Sequence, residues 1–317
     1  MEVQLGKGPT DSAIGKGSRY DQRTWPRARL RVCVLERGRP RAEGITLSIS
    51  FIVRTFNSMA TIEACVSSIR AQNLDQELII VDSGSIDGTR EYAEVVADQY
   101  VSMPRADFSY GKSLNLGMMA ATNAVCALLS SHCTIPRSNY ADVAVSLHTN
   151  ERVAATNGAR YDAIGREIAG THFETKWIGG LGFSHHSATV SRKVWEQFPY
   201  NERLGASEDK EWARRVLASG NRVIAFDPRL YVDNRHRRAQ GIKALHRRGL
   251  REAEAEALLS PELAESPFWN FLRAWATDLP SPRRYPYPGY LVHPKRIVEL
   301  YGRYQGFRNV ARGRGVD

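Results

Sequence analysis

Small polar and acidic residues follow two apolar runs of the sequence. The run Leu47–Val53 leads into Arg54-Thr55-Phe56-Asn57, and the run Glu77–Val81 leads into Asp82-Ser83-Gly84-Ser85. An acidic side chain at the end of a strand can accept hydrogen bonds from a base imide or a ribose hydroxyl, and small neighbours let the backbone approach a ligand. These turns can therefore form a nucleoside site, which the residues alone leave open. The next segment, Asp87-Gly88-Thr89, is equally typical of a plain turn and helix cap.

Charged residues begin two predicted helices. Lys112 opens a helix over residues 112–123, where free N–H groups and the helix dipole favour phosphate; a solvated surface lysine is the alternative. Glu208 and Asp209 open a helix over residues 208–219. A carboxylate there can take a proton in a reaction, or it can simply complement the dipole of the first helical turn. The residues alone leave both interpretations open.

The elements that position these residues alternate between strand and helix. Predicted strands lie at 47–53, 77–81, near 100, at 125–130, 153–156 and 222–226. A helix after Asn57 has its apolar residues at helical spacing, namely Ile62, Cys65, Val66 and Ile69. Such alternation predicts a parallel sheet with helices on both faces, and ligands bind beyond the carboxyl ends of its strands. The turns after Val53, Val81 and Ser130 are therefore the expected site.

Composition restricts the class of protein. The chain has 317 residues and a formal net charge of +10, which indicates attraction to phosphates, nucleic acid or anionic lipid. Much of the basic excess lies near the two ends, which disfavours nucleic acid as a partner. The four cysteines have no CxxC spacing typical of zinc sites. No run of roughly 18 apolar residues and no secretory signal is present, so we expect a cytoplasmic protein.

The segment Leu47–Thr89 resembles the beginning of the family 2 glycosyltransferases, which have the GT-A fold. The likeness continues through Phe108-Ser109-Tyr110-Gly111-Lys112-Ser113-Leu114-Asn115-Leu116-Gly117 and reaches Glu208-Asp209-Lys210-Glu211-Trp212-Ala213. It implies an α/β GT-A domain over about 45–240, with a mixed, mostly parallel sheet. A flexible basic tail (1–44) then precedes the domain, and a helical appendage (241–317) follows it.

The resemblance also implies an activity and a set of site residues. It predicts transfer of a sugar, with inversion, from a nucleotide-diphosphate donor to the hydroxyl of a glycan, lipid-linked or small-molecule acceptor. Thr55 and Asp82 then hold the nucleoside, Asn57 belongs to the same donor loop, and Asp87 mainly ties that loop. Lys112 and Asn115 lie near the diphosphate. Asp209 is the expected base, and Glu208 is expected to orient the acceptor.

The sequence departs from the family pattern after the strand at 125–130. An acidic pair that holds Mg²⁺ or Mn²⁺ is usual there, whereas this chain has Ser130-Ser131-His132-Cys133. His132 is then a ligand for a softer divalent ion, a direct donor to the diphosphate, or filler; we favour a functional role. His236, flanked by arginines, is a second predicted metal ligand or part of a cationic patch. A divalent cation is the expected cofactor.

Two other classes of protein are alternatives to a glycosyltransferase. A nucleotidyltransferase of related fold usually has a Gly-rich loop with a basic residue after the first strand, which Arg54-Thr55-Phe56-Asn57 does not match. A noncatalytic basic protein that binds nucleic acid or an anionic membrane surface is the second alternative. For a transferase, the expected partners are a nucleotide-sugar donor and a hydroxyl acceptor, with weak peripheral membrane attachment through the charged ends.

Overall fold

The computed structural model describes residues 32–33, 48–159, 167–177, 183–234, 241–259, 265–270, 272 and 289–313. The predicted tail (1–44), apart from residues 32–33, lies outside these ranges, as does His236. The strands are β1 Val32–Cys33, β2 Ser48–Thr55, β3 Asp75–Asp82, β4 Gln99–Ser102, β5 Val125–Ser130, β6 Val153–Asn157, β7 His172–Glu174, β8 Ala188–Ser191 and β9 Val223–Phe226. The main helices are α1 Met59–Arg70, α2 Thr89–Val96, α3 Tyr110–Ala120, α4 Tyr140–His148, α5 Arg192–Gln197, α6 Glu208–Ala218, α7 Ile242–Leu259 and α8 Gly289–Ala311.

The described strands form one mixed sheet in the order β1-β4-β3-β2-β5-β8-β6-β9-β7. Strands β4, β3, β2 and β5 run parallel to one another, as the alternation of strands and helices predicts. The short strand β8 was not predicted, and it runs antiparallel between β5 and β6. The predicted α/β fold of the GT-A type is thus confirmed.

The central strand β2 is buried on both faces. Ile49, Phe51 and Val53 belong to one apolar cluster with α1 and α4, whereas Ile52 belongs to a second cluster with α3 and α6. Successive side chains of a strand point to opposite faces, so a strand covered by helices on both sides reads as a continuous apolar run. The predicted α1 stripe of Ile62, Cys65, Val66 and Ile69 is likewise buried.

The sheet register brings the predicted turns together. Thr55 pairs with Asp82 across β2 and β3, and Arg54 lies level with Ser130 across β2 and β5. The ends of three adjacent parallel strands therefore meet at one edge, where a ligand site is expected.

Helices α7 and α8 pack closely enough that backbone meets backbone. A Cβ atom on Gly249 would lie 2.2 Å from the carbonyl oxygen of Glu299, and one on Gly302 would lie 2.3 Å from that of His246. Only glycine allows such an approach. No helix among the described residues is long and apolar enough to cross a membrane. The division into segments 1–44, 45–240 and 241–317 stays a prediction.

Candidate active site

Two adjoining cavities open beyond the carboxyl ends of β2 and β5. Their volumes are ≈ 590 Å³ and ≈ 670 Å³. The first contains Thr55 and Ser83 and the second contains Glu208 and Asp209; we call them the donor cavity and the acceptor cavity after the ligands that the sequence predicts for these residues. Six residues line both, namely Arg54, Tyr110, Ser130, His132, Gly205 and Arg251. The cavities therefore meet at a junction that contains two arginines and one histidine.

Thr55 occupies the position that the sequence predicts. It ends β2, is 4% exposed, and lines the donor cavity. Its Oγ1 is buried and makes no hydrogen bond to any described residue. A buried hydroxyl without a protein partner costs free energy unless a ligand or water satisfies it. This geometry suits contact with a polar ligand.

Arg54 is a site residue that the sequence analysis did not single out. Its guanidinium carbon lies 5.3 Å from the ring centroid of Tyr110, and its Nη1 lies 3.9 Å from Oε1 of Glu208. Both Nε and Nη1 are buried without a hydrogen bond to a described residue. Guanidinium is well suited to bind a diphosphate through several charged hydrogen bonds. The sequence feature that could have identified Arg54 is its position at the carboxyl end of a predicted central strand.

A cation between two aromatic rings forms one wall of the donor cavity. The guanidinium carbon of Arg105 lies 4.2 Å from the ring centroid of Phe56 and 4.8 Å from that of Phe108. All three residues line the cavity, and Phe56 is 40% exposed. A flat, partly exposed surface of this kind can stack against a planar ligand group.

The carboxylate of Asp82 accepts hydrogen bonds mainly from its own loop. Its Oδ2 accepts hydrogen bonds from the backbone N–H groups of Gly84 (3.2 Å) and Ser85 (3.0 Å), and its Oδ1 accepts one from Ser85 Oγ at 2.5 Å. The Tyr100 hydroxyl donates to Oδ2 at 3.3 Å. Asp82 is fully buried and lines neither cavity. In this structure its carboxylate shapes the turn that carries Ser83 into the donor cavity.

Asn57 and Asp87 connect the two loops at the strand ends. Asn57 has a left-handed backbone (φ 47°), and its Oδ1 accepts a hydrogen bond from Ile86 N–H at 2.9 Å. Asp87 accepts from Thr89 and from Met59 N–H, and the hydrogen bond from the Thr89 side chain is the main reason that its pKa is lowered. Neither residue lines a cavity. Asp87 therefore links the two loops through hydrogen bonds, and its part in a donor site stays a prediction.

The predicted diphosphate residues on α3 make protein contacts. Lys112 Nζ lies 3.4 Å from Asp107 Oδ2. Asn115 is buried, and its Nδ2 donates to Tyr200 O (3.0 Å) and Glu202 Oε1 (2.8 Å). Its Oδ1 accepts from Trp195 Nε1 and Tyr200 N–H. The structure brings neither Lys112 nor Asn115 into the two cavities.

The two carboxylates at the start of α6 have opposite electrostatic surroundings. Burial disfavours ionisation of Glu208, but the hydrogen bond from His185 (3.5 Å) and the charges of His185 and Arg54 outweigh it and lower its pKa. Burial and the neighbouring charge of Glu208 raise the pKa of Asp209. Carboxyl pairs whose pKa values are pushed apart are typical of sites that move protons.

The backbone before this pair is strained. Ser207 has φ 59° and ψ 22°, the left-handed region that residues other than glycine rarely adopt, and it lines the acceptor cavity. Next to the pair, His185 is 2% exposed and packs edge-on against Tyr200 at 4.7 Å. Its Nε2 is buried without a hydrogen bond to a described residue. Strained backbone and unsatisfied polar atoms concentrate at functional sites.

The described residues do not by themselves form a site for a divalent cation. His132 lines both cavities, but beside it at the junction are Ser130, Tyr110, Arg54 and Arg251 rather than carboxylates. Among the described residues no group of three or more His, Cys, Asp or Glu side chains could hold a metal ion. Guanidinium groups also repel a divalent cation. The predicted ligand His236 lies outside the described residues, so its role stays a prediction.

Helix α7 completes the site, although it lies in the predicted appendage. Arg251 lines both cavities, and Arg247 and Arg248 line the acceptor cavity. Lys210, directly after Asp209, places its Nζ 2.7 Å from Glu256 Oε1 of α7. This ion pair joins α7 to the helix that carries the carboxylates. Sequence alone gave no signal for the contact, because the two helices are far apart along the chain.

Comparisons with known proteins identify the family. A mannosyltransferase, PcManGT from Pyrobaculum calidifontis, solved with GDP-Man and Mn²⁺, is 18% identical (TM-score 0.49; 81% of this chain and 69% of that one). TarS from S. aureus is 14% identical (TM-score 0.47; 84% and 92%). These likenesses are too distant to identify a substrate, and a search of curated protein sequences gave no match. The family model "Glycosyl transferase family 2" matches residues 50–204, which identifies this segment of the chain as a glycosyltransferase domain of that family.

Proposed function

We propose that the protein transfers a sugar, with inversion, from a nucleoside diphosphate donor to an acceptor hydroxyl. The observation that carries the proposal is the junction of the two cavities. The donor cavity has a cation–aromatic wall and the Thr55 hydroxyl, which makes no hydrogen bond to a described residue; it meets the cavity with the Glu208–Asp209 pair, and Arg54 lines both. A donor and an acceptor bound on either side would place the reacting atoms at the junction.

In this proposal the donor cavity holds the nucleoside, and the diphosphate lies at the junction. Arg54 and Arg251 line both cavities there, and their charge stabilises the diphosphate as it leaves. Arg54 is the better placed, because its Nε and Nη1 are already desolvated and lack hydrogen bonds to described residues. The phosphate oxygens of the donor would accept hydrogen bonds from these two nitrogens.

Asp209 is the proposed base. It takes the proton of the acceptor hydroxyl while the oxygen attacks the anomeric carbon and the bond to the diphosphate breaks. Its raised pKa brings the carboxylate nearer to the range in which a base is effective. Glu208 stays ionised beside Arg54 and His185, and it helps to orient the acceptor.

The direct test is a thermal-shift screen of UDP-, GDP- and dTDP-sugars, with and without Mn²⁺. A donor at a hundred times its Kd stabilises the folded state by about 2.7 kcal/mol, a readily measured shift. Failure of all donors to stabilise the protein would overturn the proposed donor site. A shift that needs Mn²⁺ would support the predicted divalent cation, whereas a shift without metal would assign charge compensation to the arginines. Cytoplasmic location and weak membrane attachment stay predictions.

A further inference from the structure

One face of α7 presents a row of arginines to the acceptor cavity. Ala244, Arg247, Arg248 and Arg251 are spaced at i, i+3, i+4 and i+7, and all four line this cavity. The opposite face of the helix is buried; Leu245, Gly249 and Ala253 are part of it. A helix with one apolar face has a fixed rotation about its axis, so the arginine row is held toward the cavity.

Contacts on both sides hold α7 in this position. Glu256 accepts an ion pair from Lys210 of α6 and a second one from Arg303 of α8. Gly249 lies against the backbone of α8 without room for a side chain. The arginine row is therefore part of the built site rather than the surface of a separate appendage.

The ion pairs leave the row with unused positive charge. Arg248 Nε is 2.7 Å from Glu252 Oε1, and Lys210 is paired with Glu256. Glu252 also lines the acceptor cavity, and its Oε2 lies 3.6 Å from Nη1 of Arg303 on α8. Arg247 and Arg251 have no carboxylate within the ion-pair distance of 4.0 Å among the described residues. Two cations one helical turn apart thus face the cavity without a counter-ion from the part of the chain that the structure describes.

We infer that the acceptor is anionic, with a phosphate or carboxylate group that binds to Arg247, and to Arg251 from the side of the junction shared with the diphosphate, while its hydroxyl lies near Asp209. Positions four apart on a helix are separated by about 6 Å along its axis, close enough for both guanidinium groups to contact one phosphate. Arg247 lines the acceptor cavity but not the donor cavity, so the donor diphosphate does not account for it. The inference rests on the proposed function, which defines the two cavities.

The test uses the full chain, with the donor cavity filled by the nucleoside diphosphate that the thermal-shift screen selects. Inorganic phosphate is then titrated by calorimetry into wild type, Arg247→Gln, Arg251→Gln and the control Lys243→Gln. Lys243 is exposed on the same helix and lines neither cavity. We expect phosphate to bind the nucleotide complex, each arginine variant to weaken it about tenfold or more, and the control to match wild type.

Three results would overturn the inference: no phosphate binding to the nucleotide complex, equal affinity in all four proteins, or displacement of phosphate by the nucleotide. The last would assign both arginines to the donor. Lack of nucleotide binding would instead remove the proposed function, so the two failures are distinguishable.

A second arm identifies where the anion comes from. Flotation with phosphatidylglycerol vesicles but not with phosphatidylcholine vesicles, lost in Arg247→Gln, would place the anionic group on a lipid. Acceleration of nucleoside diphosphate release by glycerol 3-phosphate but not by glycerol, again dependent on Arg247, would place it on a soluble acceptor.

Discussion

Arg54 Nη1 lies 3.9 Å from Glu208 Oε1, and this contact joins the first central strand to the helix that begins with the two carboxylates. The residues are 154 positions apart, as their numbers show, yet they face each other across the junction of the two cavities. The pair connects the side of the site that we propose for the leaving diphosphate with the side proposed for proton removal.

Replacing Arg54 with Gln should weaken donor binding at least tenfold, because the phosphates lose a desolvated, permanently charged partner. Calorimetry with the donor found in the screen measures the change. Arg137→Gln is the matched control, since Arg137 is exposed and lines neither cavity. Equal donor affinity in the Arg54 variant and in the control would exclude Arg54 from the diphosphate site.

Replacing Asp209 with Asn should lower turnover by about 10²–10⁴-fold and leave donor affinity unchanged, because only proton removal from the acceptor is lost. Single-turnover transfer and donor calorimetry separate the two effects. Glu208→Gln should disturb acceptor affinity more than the chemical step. Normal turnover of the Asp209 variant would assign the base to another group.

The same substitution should stabilise the fold at neutral pH. The pKa of Asp209 is raised in the folded state by burial and by Glu208, and is partly lowered by His185 and Lys210. Below its ordinary pKa the carboxyl is protonated in both the folded and the unfolded state, so it does not lower the free energy of unfolding. As the pH rises from the ordinary pKa to the raised pKa, the unfolded state ionises first and the folded state loses stability. Asp209→Asn should therefore have the higher Tm at pH 7, and the advantage should shrink toward pH 3. A constant difference across this range would contradict the raised pKa.

Replacing Asn115 with Ala should destabilise the protein by about 2–4 kcal/mol, because it removes four hydrogen bonds, three of them buried, and leaves several partners unsatisfied. Urea unfolding measures the loss, and Asn221→Ala, at an exposed site, should change it by less than about 0.5 kcal/mol. Donor affinity of the folded fraction should persist. Unchanged stability together with lost donor binding would instead indicate that Asn115 binds the diphosphate.

Replacing Gly249 with Val should separate α7 from α8, because the new side chain would meet the Glu299 carbonyl. We expect a lower Tm, slower transfer and weaker donor binding, because α7 also lines the donor cavity through Arg251, Glu254 and Leu258. Gly241→Ala, where nothing lies within 4 Å of the added Cβ, is the control. Normal transfer by a folded Gly249 variant would show that the acceptor cavity does not depend on the α7–α8 contact.

The sequence by itself determined the parallel core and the edge of the sheet at which the predicted turns meet. Continuous apolar runs such as 77–81, followed by Asp82 and small residues, specify a buried strand and a tight turn, because both features depend on neighbouring residues. The helix beginning at Glu208 was predictable for the same reason, as was Thr55 at a strand end. β8 was not, since its four residues have no distinctive pattern and gain their stability from β5 and β6.

Only the tertiary structure decided which polar side chains face the site. The motifs give no sign that Asp82 and Asn115 form hydrogen bonds with neighbouring protein groups, whereas two nitrogens of Arg54 at the junction have no hydrogen bond to a described residue. The position of α7 depends on Lys210 meeting Glu256 and on backbone contact at Gly249. Such contacts join residues that are distant in the chain. Their geometry follows from packing, which no local pattern of residues encodes.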